Sequence, residues 1–179
     1  SNILTDAIAL QAIHLIGSNL LKAAKEHEPD ALDAMMAAST LAGMAFGNSD
    51  VASVHSISEA LGGYYDIPHG VANAMMLAPV SRLSIQGAPE KYADVAEALG
   101  VDISKMDVFE AANAGVDIMQ KLADELEIPH FSDLDIIKPE DFERLANTAA
   151  NADETADNPV FMTAKDFKEL FEKLYNEKR

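Results

Sequence analysis

Cysteine is absent from this 179-residue chain. That absence excludes disulfides and thiolate metal sites, so any metal the chain holds is held by imidazole nitrogen and carboxylate oxygen. Long apolar runs are missing too. The stretch from Ile3 to Ile16 is interrupted by Asp6, Gln11 and His14, which argues against a membrane span or signal peptide and for a cytoplasmic protein. Basic residues are scarce, 13 Lys and Arg against 30 Asp and Glu, for a formal net charge of -17. A surface of that sign gains no counterion-release energy on nucleic acid and is repelled by anionic membranes, so neither is an expected partner; its main consequence is solubility. No Gly-rich phosphate loop, no G-x-S-x-G elbow and no strand leading into a G-x-G-x-x-G occurs, so the chain has no visible nucleotide-binding element of its own.

What is present is helix-forming. Ala, Leu, Met, Glu and Lys are common and β-branched alternation is rare, which predicts an all-α fold, a helical bundle, with residues 1–179 as a single domain. Thr5 or Asp6 is the expected cap of a first helix carrying Ile8, Ile13, Ile16 and Leu20. A second helix, 31–46, is so rich in Ala, Met and Gly that it is expected in the middle of the bundle. Two further helices, one carrying His55 and one from about His69 to Ser84, are the expected core. The later helices, 90–99, 108–126, 139–149 and 164–175, are shorter and more amphipathic and are expected as an outer layer. Residues 151–158, polar and acidic, read as a surface loop closed by Asn158-Pro159.

The chemistry concentrates between His55 and His69. A continuous helix would hold these imidazoles about 21 Å apart at roughly 1.5 Å per residue, too far to share an ion. Gly62-Gly63 offers a break: a helix ending near Leu61 can turn through the glycines and restart near His69, with Pro68 at the helix entry, folding the rings toward each other. Glu59 lies one helical turn from His55, on the same face. Two imidazoles and a carboxylate suit Fe(II), Zn(II) or Mn(II) with positions left open for a substrate oxygen; the plainer alternative is a surface His-Glu pair beside an unrelated helix-start histidine. The remaining histidines read as structural: His27 as a solvated helix-end residue, His130 as a loop residue, and His14 as a buried, hydrogen-bonded core side chain.

Several motifs, Leu41-Ala-Gly-Met-Ala-Phe-Gly-Asn-Ser49, Val54-His-Ser-Ile57, Leu61-Gly-Gly-Tyr64 and Ile67-Pro-His-Gly-Val-Ala-Asn73, resemble the iron-containing (group III) alcohol dehydrogenase family. The likeness is strongest from Thr5 to Gly100 and weaker beyond, where Asn158-Pro159-Val160 resembles the family's Asn-Pro-Arg with Val160 in place of Arg. It implies a helical C-terminal metal-binding domain partnered by its own N-terminal nucleotide-binding domain, which is absent from this chain and carries NAD or NADP. It also implies an Fe(II) or Zn(II) ion acting as a Lewis acid on a small alcohol or aldehyde. His55 and His69 fall on two of four metal ligands, Phe46 falls near the substrate pocket, and Glu59 occupies a catalytic position where many members carry a histidine. The other two ligands, an Asp and a His on one helix, are expected upstream of Ser1, so this chain alone is expected to be inactive.

Removal of the partner domain is expected to expose an apolar face and favour a homo-oligomer. Two rival readings remain open at this stage. One is a non-catalytic helical binding or assembly module with a vestigial His pair; the other is a stand-alone hydrolase with a His-His-Glu site.

Overall fold

Asn2, rather than Thr5 or Asp6, caps the first helix: its side chain accepts from the backbone N–H groups of Leu4 and Thr5, and Thr5 answers by accepting from the Asn2 N–H. Ser and Thr at this third helical position are not caps but the reciprocal half of a capping box. The computed structural model describes residues 1–177; residues 178 and 179, which the single-domain expectation includes, lie outside the described residues. Eight α-helices are present among the described residues and no strand, as the all-α reading expects. In order they are α1 (Ile3–Leu21), α2 (Pro29–Phe46), α3 (Ser53–Tyr65), α4 (His69–Ser84), α5 (Pro89–Ala98), α6 (Val108–Glu125), α7 (Phe142–Ala150) and α8 (Ala164–Asn176). Their contacts divide the chain into two compact units, one of residues 1–50 and 85–126, the other of residues 51–84 and 127–179.

The first unit contains α1, α2, α5 and α6, with α1 lying along α2 and α5 against α6. Its buried apolar side chains are almost all alanine: Ala12, Ala31, Ala38, Ala45, Ala93, Ala96, Ala111 and Ala112. Small side chains let helix backbones approach closely. A methyl group on Gly115 of α6 would stand 2.9 Å from the Ala96 Cβ and 3.0 Å from its Cα, so only glycine fits there. The expected central place of α2 is not observed. Only Ala31, Ala38 and Ala45, one stripe at seven-residue spacing, are buried, while Met36 and Met44 are mostly exposed. Small residues on every face make a helix look buried from all sides in sequence, although here a single face is used. α1 is extended by a π-helical turn, Lys22–Glu26, and the 24-residue helix contains an 18-residue window of mean hydropathy 1.3, long and apolar enough by length and composition to cross a membrane, a test that the core helices of soluble proteins also pass.

The second unit contains α3, α4, α7 and α8. Its core holds Ile57 and Leu61 from α3, Met76 and Val80 from α4, Leu145 from α7, and Phe167 and Phe171 from α8, each almost completely buried. Phe131 stacks on Phe171 with ring centroids 5.5 Å apart, and Phe142 meets both rings. The amphipathic α7 and α8 are therefore not an outer layer: their inner faces form the centre of this core. Outside it, the Tyr65 hydroxyl donates to the Asp141 carboxylate at 2.8 Å. Burial, and then that hydrogen bond, push the phenol up to about 12.

The acidic stretch 151–158 also departs from a simple surface loop. Asp153–Asp157 forms a 3-10 turn whose Thr155 is buried, its hydroxyl donating to the Ala149 carbonyl at 2.7 Å and lying 2.8 Å from the Ser56 hydroxyl. Asn158 donates to Ser84 at 3.0 Å and to the Val160 carbonyl at 2.7 Å. Polar side chains in this stretch serve as anchors, which composition alone does not distinguish from solvated ones.

Candidate metal centre

The convergence expected of His55 and His69 is observed within the second unit: their ring centroids are 5.3 Å apart, with the rings tilted by 55°. The route differs from the expected one. α3 does not end at Leu61 but continues through Gly62 and Gly63 to Tyr65, and the left-handed residue that stops it is Asp66, at φ 56°. The Asp66 N–H returns to the Gly62 carbonyl at 3.0 Å. The short segment Asp66-Ile67-Pro68 then doubles back along α3, so that α4 starts at His69 beside the middle of α3 and not beyond its end. Neither glycine is needed for space: a methyl on Gly62 would lie 3.5 Å from the Ile67 carbonyl oxygen, an ordinary contact, and a methyl on Gly63 would meet nothing within 4 Å. Neither glycine supplies the turn. Pro68 behaves as expected at a helix entry, its carbonyl accepting from Val71 at 2.9 Å and Ala72 at 3.0 Å.

His55 is half-buried on α3. Burial first, and then the positive charge His69 would carry, lower its pKa, against the raising influence of Glu59 and Glu154. The balance favours a neutral imidazole with a lone pair. His69 is fixed on both sides of its ring: Nδ1 lies 3.0 Å from the Ser58 hydroxyl, and Nε2 lies 2.8 Å from the Asn73 amide nitrogen. Glu59 is exposed on α3 and close enough to act on His55 through its charge. Among the described residues no group of three or more His, Cys, Asp or Glu side chains is arranged to hold a metal, so Glu59 does not complete a three-ligand site with the two imidazoles. This removes the geometric basis of the stand-alone His-His-Glu hydrolase. The donor set suits a metal as two neutral nitrogen ligands and needs further oxygen or nitrogen ligands from elsewhere.

The other sequence candidates belong to other elements. Phe46 is the last residue of α2, in the first unit, and is more than half exposed. His14 is corrected: it is exposed on α1 and lines a shallow surface depression with Gln11, Asp94 and Glu97. An apolar sequence neighbourhood misled here, because α1 buries only Thr5 and Ala12. His27 is exposed with left-handed backbone angles, at φ 53°, as a solvated helix-end residue should be. His130 sits at a cap, its backbone N–H donating to the Asp133 carboxylate at 3.0 Å. Sequence reasoning passed over Ser58, Asn73 and Glu154. The first two could have been found from their spacing, three residues after His55 and four after His69, on the faces that carry the imidazoles.

The chain matches the family model described as "Fe-containing alcohol dehydrogenase family, C-terminal" over residues 1–175. It belongs to the iron-containing alcohol dehydrogenase family. It is 38% identical over 177 residues to 1,3-propanediol dehydrogenase of Citrobacter freundii, covering 98% of this chain and 46% of that protein. It is 37% identical to lactaldehyde reductase of Escherichia coli, covering 94% of this chain and 44% of that one. The crystal structure of a 1,3-propanediol oxidoreductase superposes on 97% of this chain and 46% of that one with a TM-score of 0.93 at 38% identity. An alcohol dehydrogenase from Oenococcus oeni superposes with a TM-score of 0.92 at 35% identity, covering 97% of this chain and 46% of that one. The chain thus spans a little under half the length of these relatives. Solved structures of the family therefore share the helical fold that carries His55 and His69.

Proposed function

We propose that this chain is the metal-binding helical part of a cytoplasmic, NAD(P)-linked dehydrogenase that interconverts a small alcohol and its aldehyde or ketone. The observation that carries the reading is the convergence of the His55 and His69 rings, 5.3 Å apart, on a chain of this family. The names of the two relatives, a propanediol dehydrogenase and a lactaldehyde reductase, support a short oxygenated substrate. Fe(II) or Zn(II), when bound, supplies Lewis acidity toward the substrate oxygen. His55 and His69 hold two of its ligand positions as neutral imidazoles. Glu59, exposed beside His55, is a catalytic group that accepts a proton at its carboxylate, and Phe46 lines the substrate pocket. NAD or NADP is carried by the protein's own N-terminal domain, so residues 1–179 alone are inactive. The exposed Ile3, Leu4 and Met36 favour assembly as a homo-oligomer.

The test is NAD- and NADP-linked oxidation of propane-1,2-diol and propane-1,3-diol by a protein joining this chain to its N-terminal nucleotide domain. Activity lost in His69→Ala and His55→Ala supports the reading. Full activity in either variant sinks it. The incomplete ligand group among the described residues favours a second reading, a non-catalytic helical module. A joined protein that binds no nucleotide and oxidises neither diol would establish that reading instead.

A further inference from the structure

Ser58 and Asn73 touch His69 on opposite sides of its ring, and neither belongs to the ligand pair. Ser58 is 1% exposed and lies one turn from His55 on α3. Its Oγ is 3.0 Å from His69 Nδ1 and 3.3 Å from the His69 carbonyl oxygen. A hydroxyl has one hydrogen to give, and a carbonyl can only accept. With that hydrogen on the carbonyl, Oγ accepts from the ring, which places the proton of the neutral imidazole on Nδ1. The other side agrees. The Asn73 amide nitrogen, 2.8 Å from Nε2, can only donate, so Nε2 presents a lone pair. Turning the amide over would put an NH2 group where the buried Asn73 Oδ1 now stands without a partner, leaving two donors unpaired in place of one acceptor.

We infer that Ser58 is a positioning residue that fixes His69 as its Nδ1–H tautomer, leaving the Nε2 lone pair as the one available to a metal. α3 therefore contributes two functions to one face, a ligand at His55 and the orienting group for the ligand on α4. Asn73 keeps the same lone pair engaged while no metal is bound, and a metal arriving at Nε2 replaces that single hydrogen bond. Free histidine side chains favour the opposite, Nε2–H, tautomer, so the preference is a property of the site. A ligand imidazole whose second nitrogen is held in this way loses about 10- to 100-fold in metal affinity when the outer partner is removed.

The inference rests on His69 being a ligand, and the experiment separates the two claims. Long-range proton–nitrogen NMR correlations of the 15N-histidine-labelled chain at about pH 8, where imidazole is neutral, report each ring's tautomer without metal. His69 should be mainly Nδ1–H in the wild-type chain and should move toward Nε2–H in Ser58→Ala, while the His14 and His27 signals stay unchanged. A zinc(II) titration of the same samples should show the His69 signal responding at about tenfold higher zinc in Ser58→Ala. A mainly Nε2–H ring in the wild-type chain, or the same tautomer ratio in both proteins, overturns the role given to Ser58. If the tautomers behave as expected and zinc perturbs neither His55 nor His69, the metal-site reading fails while the tautomer assignment stands.

Discussion

The two units solve the problem of helix packing with opposite materials. In the first, helices meet through alanine and glycine, and only Ile85 and Val116 are large apolar side chains buried to within 2% exposure. In the second, phenylalanine, leucine, isoleucine and methionine fill a continuous core, with three phenylalanine rings in mutual contact. Hydrophobic stabilisation scales with buried apolar area, so the second unit carries more of it per helix, and the first relies on close backbone approach. The candidate metal centre stands on the bulkier unit. The two converging imidazoles are supported there by Ile57 and Leu61, on the same helix as His55, and by Met76, on the same helix as His69.

The contrast predicts opposite responses to changes of volume. Phe171→Ala, which empties part of the aromatic cluster, should cost about 3–5 kcal/mol in urea unfolding, enough to unfold much of a marginal protein. Gly115→Ala in the first unit adds a single methyl and should still cost about 1–3 kcal/mol, because the methyl meets backbone atoms of Ala96 that cannot move away cheaply. If Gly115→Ala proved neutral, the close-approach account of the first unit would fail. Gly62→Ala sharpens the comparison from the other side. It lies inside α3 in ordinary contact with its neighbours, so it should gain about 0.5–1 kcal/mol from helix propensity and leave the two imidazoles where they are. A loss of stability there would restore the glycine-turn reading.

The smallest effect concerns pH. Because the folded-state pKa of Tyr65 is raised to about 12, its contribution to stability is fully present below the unfolded value near 10. That contribution is lost as pH rises from there through the folded value. The difference in unfolding midpoint between the wild-type chain and Tyr65→Phe should therefore shrink across that alkaline window. A constant difference would show that the hydrogen bond to Asp141 does not hold the phenol neutral.

Much of this was readable from residues. The expected helices 90–99, 108–126 and 164–175 agree with α5, α6 and α8 to within a residue, whereas the one expected from Pro139 opens as a 3-10 turn, Pro139–Asp141, with α7 starting at Phe142. The meeting of His55 with His69 was readable because a short connection between two helices restricts where the second can begin. Its route was not, since Asp66 adopts a left-handed conformation that asparagine and aspartate enter only when the surrounding fold favours it, while two adjacent glycines give the louder signal. Core and periphery were hardest to assign. An alanine-rich helix and a strongly amphipathic one each show which residues can be buried, and neither shows which helix the rest of the chain will pack around. The anchors Ser58, Thr155 and Asn158 were hidden for a related reason, as a polar residue on a core face is recognised only once its partner is placed.

The most direct test of the metal centre is anaerobic calorimetric titration of the chain with Fe(II) and Zn(II), beside His55→Ala, His69→Ala and Glu59→Ala. Two converging imidazoles without further ligands predict weak one-to-one binding that disappears in either histidine variant and persists in Glu59→Ala. Binding that survives the loss of either histidine, or no binding by the wild-type chain at all, would contradict it.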